Sequence, residues 1–177
     1  MNPIIRQEKF DDHKAVFTIT ELAFRNLEIS EHNEQFLVER LRKSSAFIPE
    51  LSLVADMEGK IVGHILLTKI LIKNEKNEHE SLSLAPVSVH PDFQKMGIGA
   101  KLIKAAHQKA RELGYKSVVL VGHPHYYPRF GYRKASDFGI KFHFDAPDEV
   151  CMAVELLPKG LDGVNGFVEL AKEFFEN

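Results

Sequence analysis

The residues best placed to do chemistry are Gln94-Lys95-Met96-Gly97-Ile98-Gly99. They lie between an apolar run ending Val87-Ser88-Val89-His90-Pro91 and a long amphipathic segment that starts at Ile98 and includes Ala100. Glycine has no Cβ, so backbone N–H groups beside Gly97 and Gly99 can approach an anion closely. A helix N-terminus adds unpaired donors and a positive dipole end. Lys95 and Lys101 could add charge. The stretch therefore predicts a phosphate or pyrophosphate site, against the plainer reading that two glycines simply start a helix after a turn. A P-loop would need Lys-Ser/Thr after its last glycine, and Gly99-Ala100-Lys101-Leu102 does not supply it. A dinucleotide fingerprint would need glycine where Leu102 stands.

A second group of reactive side chains follows at His123-Pro124-His125-Tyr126-Tyr127 and runs on to Pro128-Arg129-Phe130-Gly131-Tyr132. A third is spread over Glu21, Arg25, Glu28, Glu31, His32 and Glu34. The chain has nine histidines and one cysteine, Cys151. Only His123-x-His125 has close spacing, so no metal site of three or four ligands is expected. Cys151 sits in an apolar run and reads as a structural thiol. His64, within Val62-Gly63-His64-Ile65, reads as a strand residue facing a neighbour.

The elements that must hold these groups can be placed from periodicity. Ile4–Glu8 reads as a short strand. Ala15, Val16, Ile19, Leu22 and Ala23 recur at helical spacing after a possible cap at Asp11-Asp12. Arg25–Asn33 reads as loop, and Phe36–Leu41 as a second helix. Leu51–Met57 and Lys60–Ile72 read as a hairpin joined at Glu58-Gly59. Asn74–Glu80 reads as a second hairpin loop, and Leu82–Val89 as the returning strand. Pro86 inside that strand cannot donate to a ladder and marks an edge or a bulge. In Ile98–Leu113 the apolar positions Ile98, Leu102, Ile103, Ala106, Ala110 and Leu113 share one helix face. Gly114 ends that helix. Ser117–Val121 is a strand apolar on both faces, parallel to Leu82–Val89 because a helix joins them. The His123–Tyr132 region has room for at most one helical turn. Ile140–Phe144 and Val150–Leu156 read as strands and Phe167–Phe175 as a terminal helix. The order predicts a mixed α/β (α+β) fold, with residues 1–177 as a single domain.

At 177 residues, with 44% hydrophobic and 27% charged residues, the chain can bury a core without a staple. One cysteine excludes an intramolecular disulfide and favours a reducing compartment. A net charge of −2 with no basic arm argues against a generic nucleic-acid binder. Lysines interrupt the apolar stretches, so no membrane span is expected, and the N-terminus does not read as a signal peptide. The expected location is the cytoplasm. Phe167 with Phe174-Phe175 reads as core or dimer contact, which leaves a homodimer open.

The pattern Gln/Arg-x-x-Gly-x-Gly/Ala of acetyl-CoA binders fits Gln94–Gly99 at every fixed position. With Val87–Pro91, Gln94–Gly99 and the Tyr127–Tyr132 element, the chain resembles the GNAT superfamily of N-acetyltransferases, and most of all its bacterial YhbS-type branch. Gly160–Gly166 is similar to the end of that branch. The resemblance implies a mostly antiparallel sheet with a splayed parallel pair flanked by helices, with acetyl-CoA as cosubstrate in the gap. It implies that backbone groups of Val87 and Val89 hold the pantetheine arm and polarise the thioester carbonyl. Backbone N–H groups over Lys95, Met96, Gly97, Ile98, Gly99 and Ala100 would hold the pyrophosphate, with the Gln94 and Lys95 side chains beside them. A primary amine, on a small molecule or a peptide, would attack the thioester directly through a tetrahedral intermediate. Tyr127 matches the position of the acid that meets the leaving thiolate. Many relatives carry a glutamate on the strand before the glycine turn, and here that strand has none. Glu21, Glu28, Glu31, His32, His123, His125, a water chain, or no residue at all are the open choices for the base. A non-catalytic CoA-binding sensor or interaction domain of the same fold is the alternative.

Overall fold

The computed structural model describes residues 2–28 and 30–176. Its elements, in chain order, are β1 (Ile4–Gln7), α1 (His13–Phe24), α2 (Glu34–Arg42), β2 (Phe47–Met57), β3 (Lys60–Lys73), β4 (Glu78–Val89), α3 (Ile98–Glu112) and β5 (Ser117–Val121). After these come β6 (Arg133–Lys134), β7 (Ile140–Lys141), β8 (Cys151–Glu155) and β9 (Gly166–Glu169). The nine strands among the described residues belong to one sheet, ordered β1-β2-β3-β4-β5-β8-β6, with β9 beside the far end of β3 and β7 beside β9. The ladders are antiparallel except β4–β5 and the short β7–β9 pair. No helix among the described residues is long and apolar enough to cross a membrane.

The sheet is covered on both faces, and β3 shows why it reads as an almost unbroken apolar run. Ile65 and Leu67 point into the core under α3, together with Leu102, Ile103 and Ala106. Leu66, between them, points to the opposite core with Val16 and Ile19 of α1 and Val38 and Leu41 of α2. A strand buried on both faces has no polar side to alternate with. Gly63 lets α3 lie close: a Cβ there would stand 3.0 Å from Leu102 Cδ1 and 3.2 Å from Ile98 Cγ2.

Several boundaries differ from the sequence expectation. The second hairpin loop is tighter, because Lys73 already pairs with Glu78. Asn74 Oδ1 accepts from the N–H groups of Lys76 and Asn77 and closes that turn. Phe167–Phe175 is not a helix. Its first part pairs with β3 as Leu71↔Glu169 and Ile72↔Val168, and Lys172–Phe175 forms a single 3-10 turn. Val168 is buried between exposed neighbours, a period of two that extends the sheet where β2 has ended. Ile140–Phe144 shortens to Ile140–Lys141, matching the two residues that β9 offers it. The helix stops at Glu112, so Leu113 lies just past α3 and is exposed, while His107 takes a buried place on the inner face of α3.

Candidate functional site

The site lies where β4 and β5 part. These parallel strands pair only at Leu82↔Val118 and Ser83↔Val119. β4 then continues to Val89 and β5 to Val121 without a further rung between them. The register of β4 against β3 gives a physical reason. Ile65 faces Val87 while Leu67 faces Leu84, so Ala85 and Pro86 together oppose the single residue Leu66. That is a bulge, which bends a strand away from its neighbour, and its proline has no N–H to offer.

A cavity of about 600 Å³ opens at this parting. β4 contributes Leu84 to Val87, and β5 contributes Val121 with Gly122 just beyond it. Tyr126 and Tyr127 close one side, with His123 and His125 beside them. The end of α1 and the start of α2 supply the other side through Phe24, Leu27, Glu34 and Leu37.

The glycine turn stands next to this cavity. Lys95 has φ +64° and Gly97 φ +80°, and the helix begins at Ile98. The first intrahelical bond from this end runs from Lys101 N to Gly97 O at 3.1 Å. The N–H groups of Ile98, Gly99 and Ala100 therefore have no acceptor within the helix. A Cβ on Gly99 would lie 3.3 Å from the Tyr126 hydroxyl and 3.8 Å from Val89 Cγ2, so glycine lets the start of α3 lie close to Tyr126. Ile98 turns its side chain into the core, whereas Lys95 and Met96 face solvent. Gln94 Nε2 donates to Val89 O at 3.1 Å, which ties the turn to the end of β4. Lys101 Nζ donates to Asn2 Oδ1 at 2.6 Å. The chemical capacity of the turn thus rests on its backbone, a row of donors suited to a pyrophosphate.

The aromatic side is tightly packed. Tyr127 meets Tyr126 and Tyr132 edge to face, at 5.1 and 5.7 Å between centroids. Its ring lies against Gly122, where a Cβ would approach Tyr127 Cε2 to 2.6 Å. Burial pushes the Tyr127 phenol up to about 12. At neutral pH it is therefore a protonated hydrogen-bond donor. Arg129 covers the Tyr126 ring at 4.6 Å and donates through Nε to Tyr126 O. Tyr132 is buried, and its hydroxyl shares a 2.8 Å hydrogen bond with His107 Nε2. That partner accounts for the histidine on the inner face of α3. Burial and the nearby Arg111 charge lower His107 to about 4.

The candidate bases do not converge. Glu21 is held by Arg25 one helical turn away at 2.8 Å, and Glu28, Glu31 and His32 are exposed. His123 and His125 line the cavity mouth. Glu34, one of six polar residues noted around α1 and α2 but not among the choices for the base, also reaches the cavity. His64 is wholly buried and hydrogen-bonds Ser52 Oγ at 2.9 Å, away from the cavity. Beside it, Glu8 pairs with Arg42 at 2.6 Å and fastens α2 to the sheet. Among the described residues no cluster of His, Cys, Asp and Glu could hold a metal.

Residues 18–132 match the model of the acetyltransferase (GNAT) family. The chain belongs to the GNAT family. It is 39% identical over 117 residues to the N-acetyltransferase YjhQ of Escherichia coli K12, a match covering 66% of this chain and 65% of that one. The match thus spans a little under two thirds of the length of that relative. Over 142 residues it is 28% identical to the N-acetyltransferase YhbS of the same strain, covering 80% of this chain and 83% of YhbS. The crystal structure of YhbS from Escherichia coli in complex with CoA superposes with a TM-score of 0.86 at 25% identity, over 99% of this chain and 93% of that one. A GNAT family acetyltransferase from Brucella melitensis in complex with acetyl-CoA superposes with a TM-score of 0.79 at 32% identity, over 97% of both chains. The mixed α/β GNAT fold is therefore common to this chain and to both solved structures.

Proposed function

We propose that the chain is an acetyl-CoA-dependent N-acetyltransferase, with residues 1–177 acting as one catalytic domain in the cytoplasm. The observation that carries this reading is the parting of β4 and β5 beside the glycine turn. It joins a row of free backbone donors to a cavity closed by Tyr127. Two GNAT relatives of the same fold were solved with CoA and acetyl-CoA, which supports acetyl-CoA as the cosubstrate here.

In this reading the N–H groups from Lys95 to Ala100 hold the pyrophosphate, and the pantetheine arm runs along β4 past Val89 and Val87. Gln94 already occupies one side of the Val89 carbonyl, so its part is to fix the turn. A backbone N–H at Val87 or Val89 polarises the thioester carbonyl, as an oxyanion-hole donor does. A primary amine on a small molecule or peptide attacks, giving a tetrahedral intermediate, and the C–S bond breaks. Tyr127 donates a hydrogen bond to the departing sulfur. Its raised pKa means that it stabilises the thiolate more than it protonates it.

The lack of a carboxylate between Leu82 and Val89 of β4 favours a second reading, a CoA-binding domain without turnover. Acetyl-CoA should raise the melting temperature under either reading, because a ligand of the native state stabilises it. Release of free CoA thiol that depends on an added amine supports the enzyme, while stabilisation with no turnover on any amine supports the binding domain. A homodimer, for which the exposed Phe167 and Phe175 offer apolar surface, is read from molar mass by light scattering.

A further inference from the structure

The acceptor side of the cavity has an uneven chemistry. Its walls there are apolar, built from Phe24, Leu27, Leu37, Leu84, Pro86 and Val121. Among the described lining residues Glu34 is the one acidic side chain, and none is a lysine or arginine. Glu34 Oε1 accepts a hydrogen bond from Ser30 Oγ, which fixes the carboxylate. Its Oε2 is buried and has no hydrogen-bond partner among the described residues. No lysine or arginine is paired with it among them either. An anionic oxygen withdrawn from water without a partner is costly to the protein, and a cation entering the cavity would complete it.

We infer that Glu34 receives the ammonium group of the acceptor and takes its proton, and that the acceptor is a primary amine carried on an apolar body. The inference rests on the acetyltransferase reading of the site. A monocationic arylalkyl or alkyl amine satisfies both features at once, its ammonium on Oε2 and its body on the apolar walls. A polyamine would bring further charges to walls that hold no second anion. A free amino acid would bring its own carboxylate towards Glu34.

The proton balance follows from the same placement. The ammonium gives one proton to Oε2, and the freed lone pair attacks the thioester carbonyl carbon. The C–N bond forms, the C–S bond breaks, and the second nitrogen proton ends on the CoA sulfur. Glu34 then returns its proton to solvent, so one proton is released per acetyl group transferred. A residue on the first turn of α2 thus supplies the carboxylate that β4 lacks between Leu82 and Val89.

The test compares 2-phenylethylamine, hexylamine, spermidine and glycine as acceptors, with release of CoA thiol as readout. The wild type should show kcat/KM for 2-phenylethylamine at least about 10-fold above that for spermidine. Glu34→Gln should lower kcat/KM for 2-phenylethylamine by about 10- to 100-fold at pH 7, and the loss should shrink towards about pH 10, where a much larger share of the amine is neutral in solution. Glu34→Asp should recover part of it, and the melting shift caused by acetyl-CoA should be equal in all three proteins. If Glu34→Gln loses that shift through misfolding, Glu34→Asp is read in its place by the same pH profile. A variant within about 2-fold of wild type with an unchanged pH profile overturns the inference. Preference for spermidine or glycine overturns it too, as does acetyl-CoA binding without turnover of any of the four amines. Absence of an acetyl-CoA shift in the wild type overturns the parent reading as well, which separates the two failures.

Discussion

Tyr127 shows how burial sets the role of a single group. In water a phenol near 10 is already a weak acid, and the apolar packing around this one pushes it up to about 12. It stays protonated across the working range of any amine acetylation. Tyr127→Phe removes the donor but keeps the ring against Gly122. The expected result is a fall in kcat of about 10- to 100-fold with the KM for acetyl-CoA nearly unchanged. Steady-state kinetics with a saturating amine measure it. The place of Tyr127 beside the cavity was legible in the sequence because its spacing from Gly131 is local. Glu34 was not, because its place beside the cavity depends on how α1 and α2 pack on each other and on β2 and β3. Gln94 matched its motif, yet its side chain is spent on Val89 O, a bond that no spacing rule contains.

At the scale of elements, the site depends on one parting of strands and one close approach. Pro86 was legible as a break in the ladder, and the register shows the bulge that parts β4 from β5. Gly122 carried no signal in the sequence, since nothing there says that a tyrosine five residues later folds back onto it. A methyl group at Gly122 would need space that the Tyr127 ring fills, with a 2.6 Å contact. Gly122→Ala should therefore displace the ring, lower kcat by about 10-fold and cost about 1–3 kcal/mol of stability. Thiol-release kinetics and urea denaturation of the same variant check the two effects. Phe167–Phe175 was misread for a related reason. Its aromatic spacing suits a helix, but the uncovered end of β3 offers a strand partner, and tertiary pairing overrides local preference. The α3 helix was legible almost throughout, and the departure at His107 follows from the buried hydroxyl of Tyr132.

For the whole molecule, two buried histidines tie stability to pH. Burial lowers both His64 and His107 to about 4, from an ordinary value of 6.5. In the unfolded chain each takes up a proton near pH 6.5, while the folded protein resists until about 4. Their contribution is thus fully present above pH 6.5 and is lost as pH falls from there towards 4, by up to about 3 kcal/mol each. Glu8 and Asp12, held low chiefly by hydrogen bonds to Arg42 and Arg6 despite partial burial, act in the same direction at more acid pH. The urea midpoint should fall steadily between pH 7 and pH 4.5, and His107→Leu should flatten part of that slope whatever its effect at pH 7. Neither histidine announced this in the sequence, because a period of two or 3.6 tells which face a residue takes and not what meets it there.

The account turns on one claim, that the gap between β4 and β5 binds acetyl-CoA and delivers its acetyl group to an amine. Release of CoA thiol from acetyl-CoA, followed with and without 2-phenylethylamine in wild type and Gly99→Val, tests it most directly. The prediction is release that needs the amine, yields the N-acetyl amine in equal amount by mass spectrometry, and disappears when valine fills the space facing the Tyr126 hydroxyl. Release that is indifferent to the amine, or that survives unchanged in Gly99→Val, would contradict it.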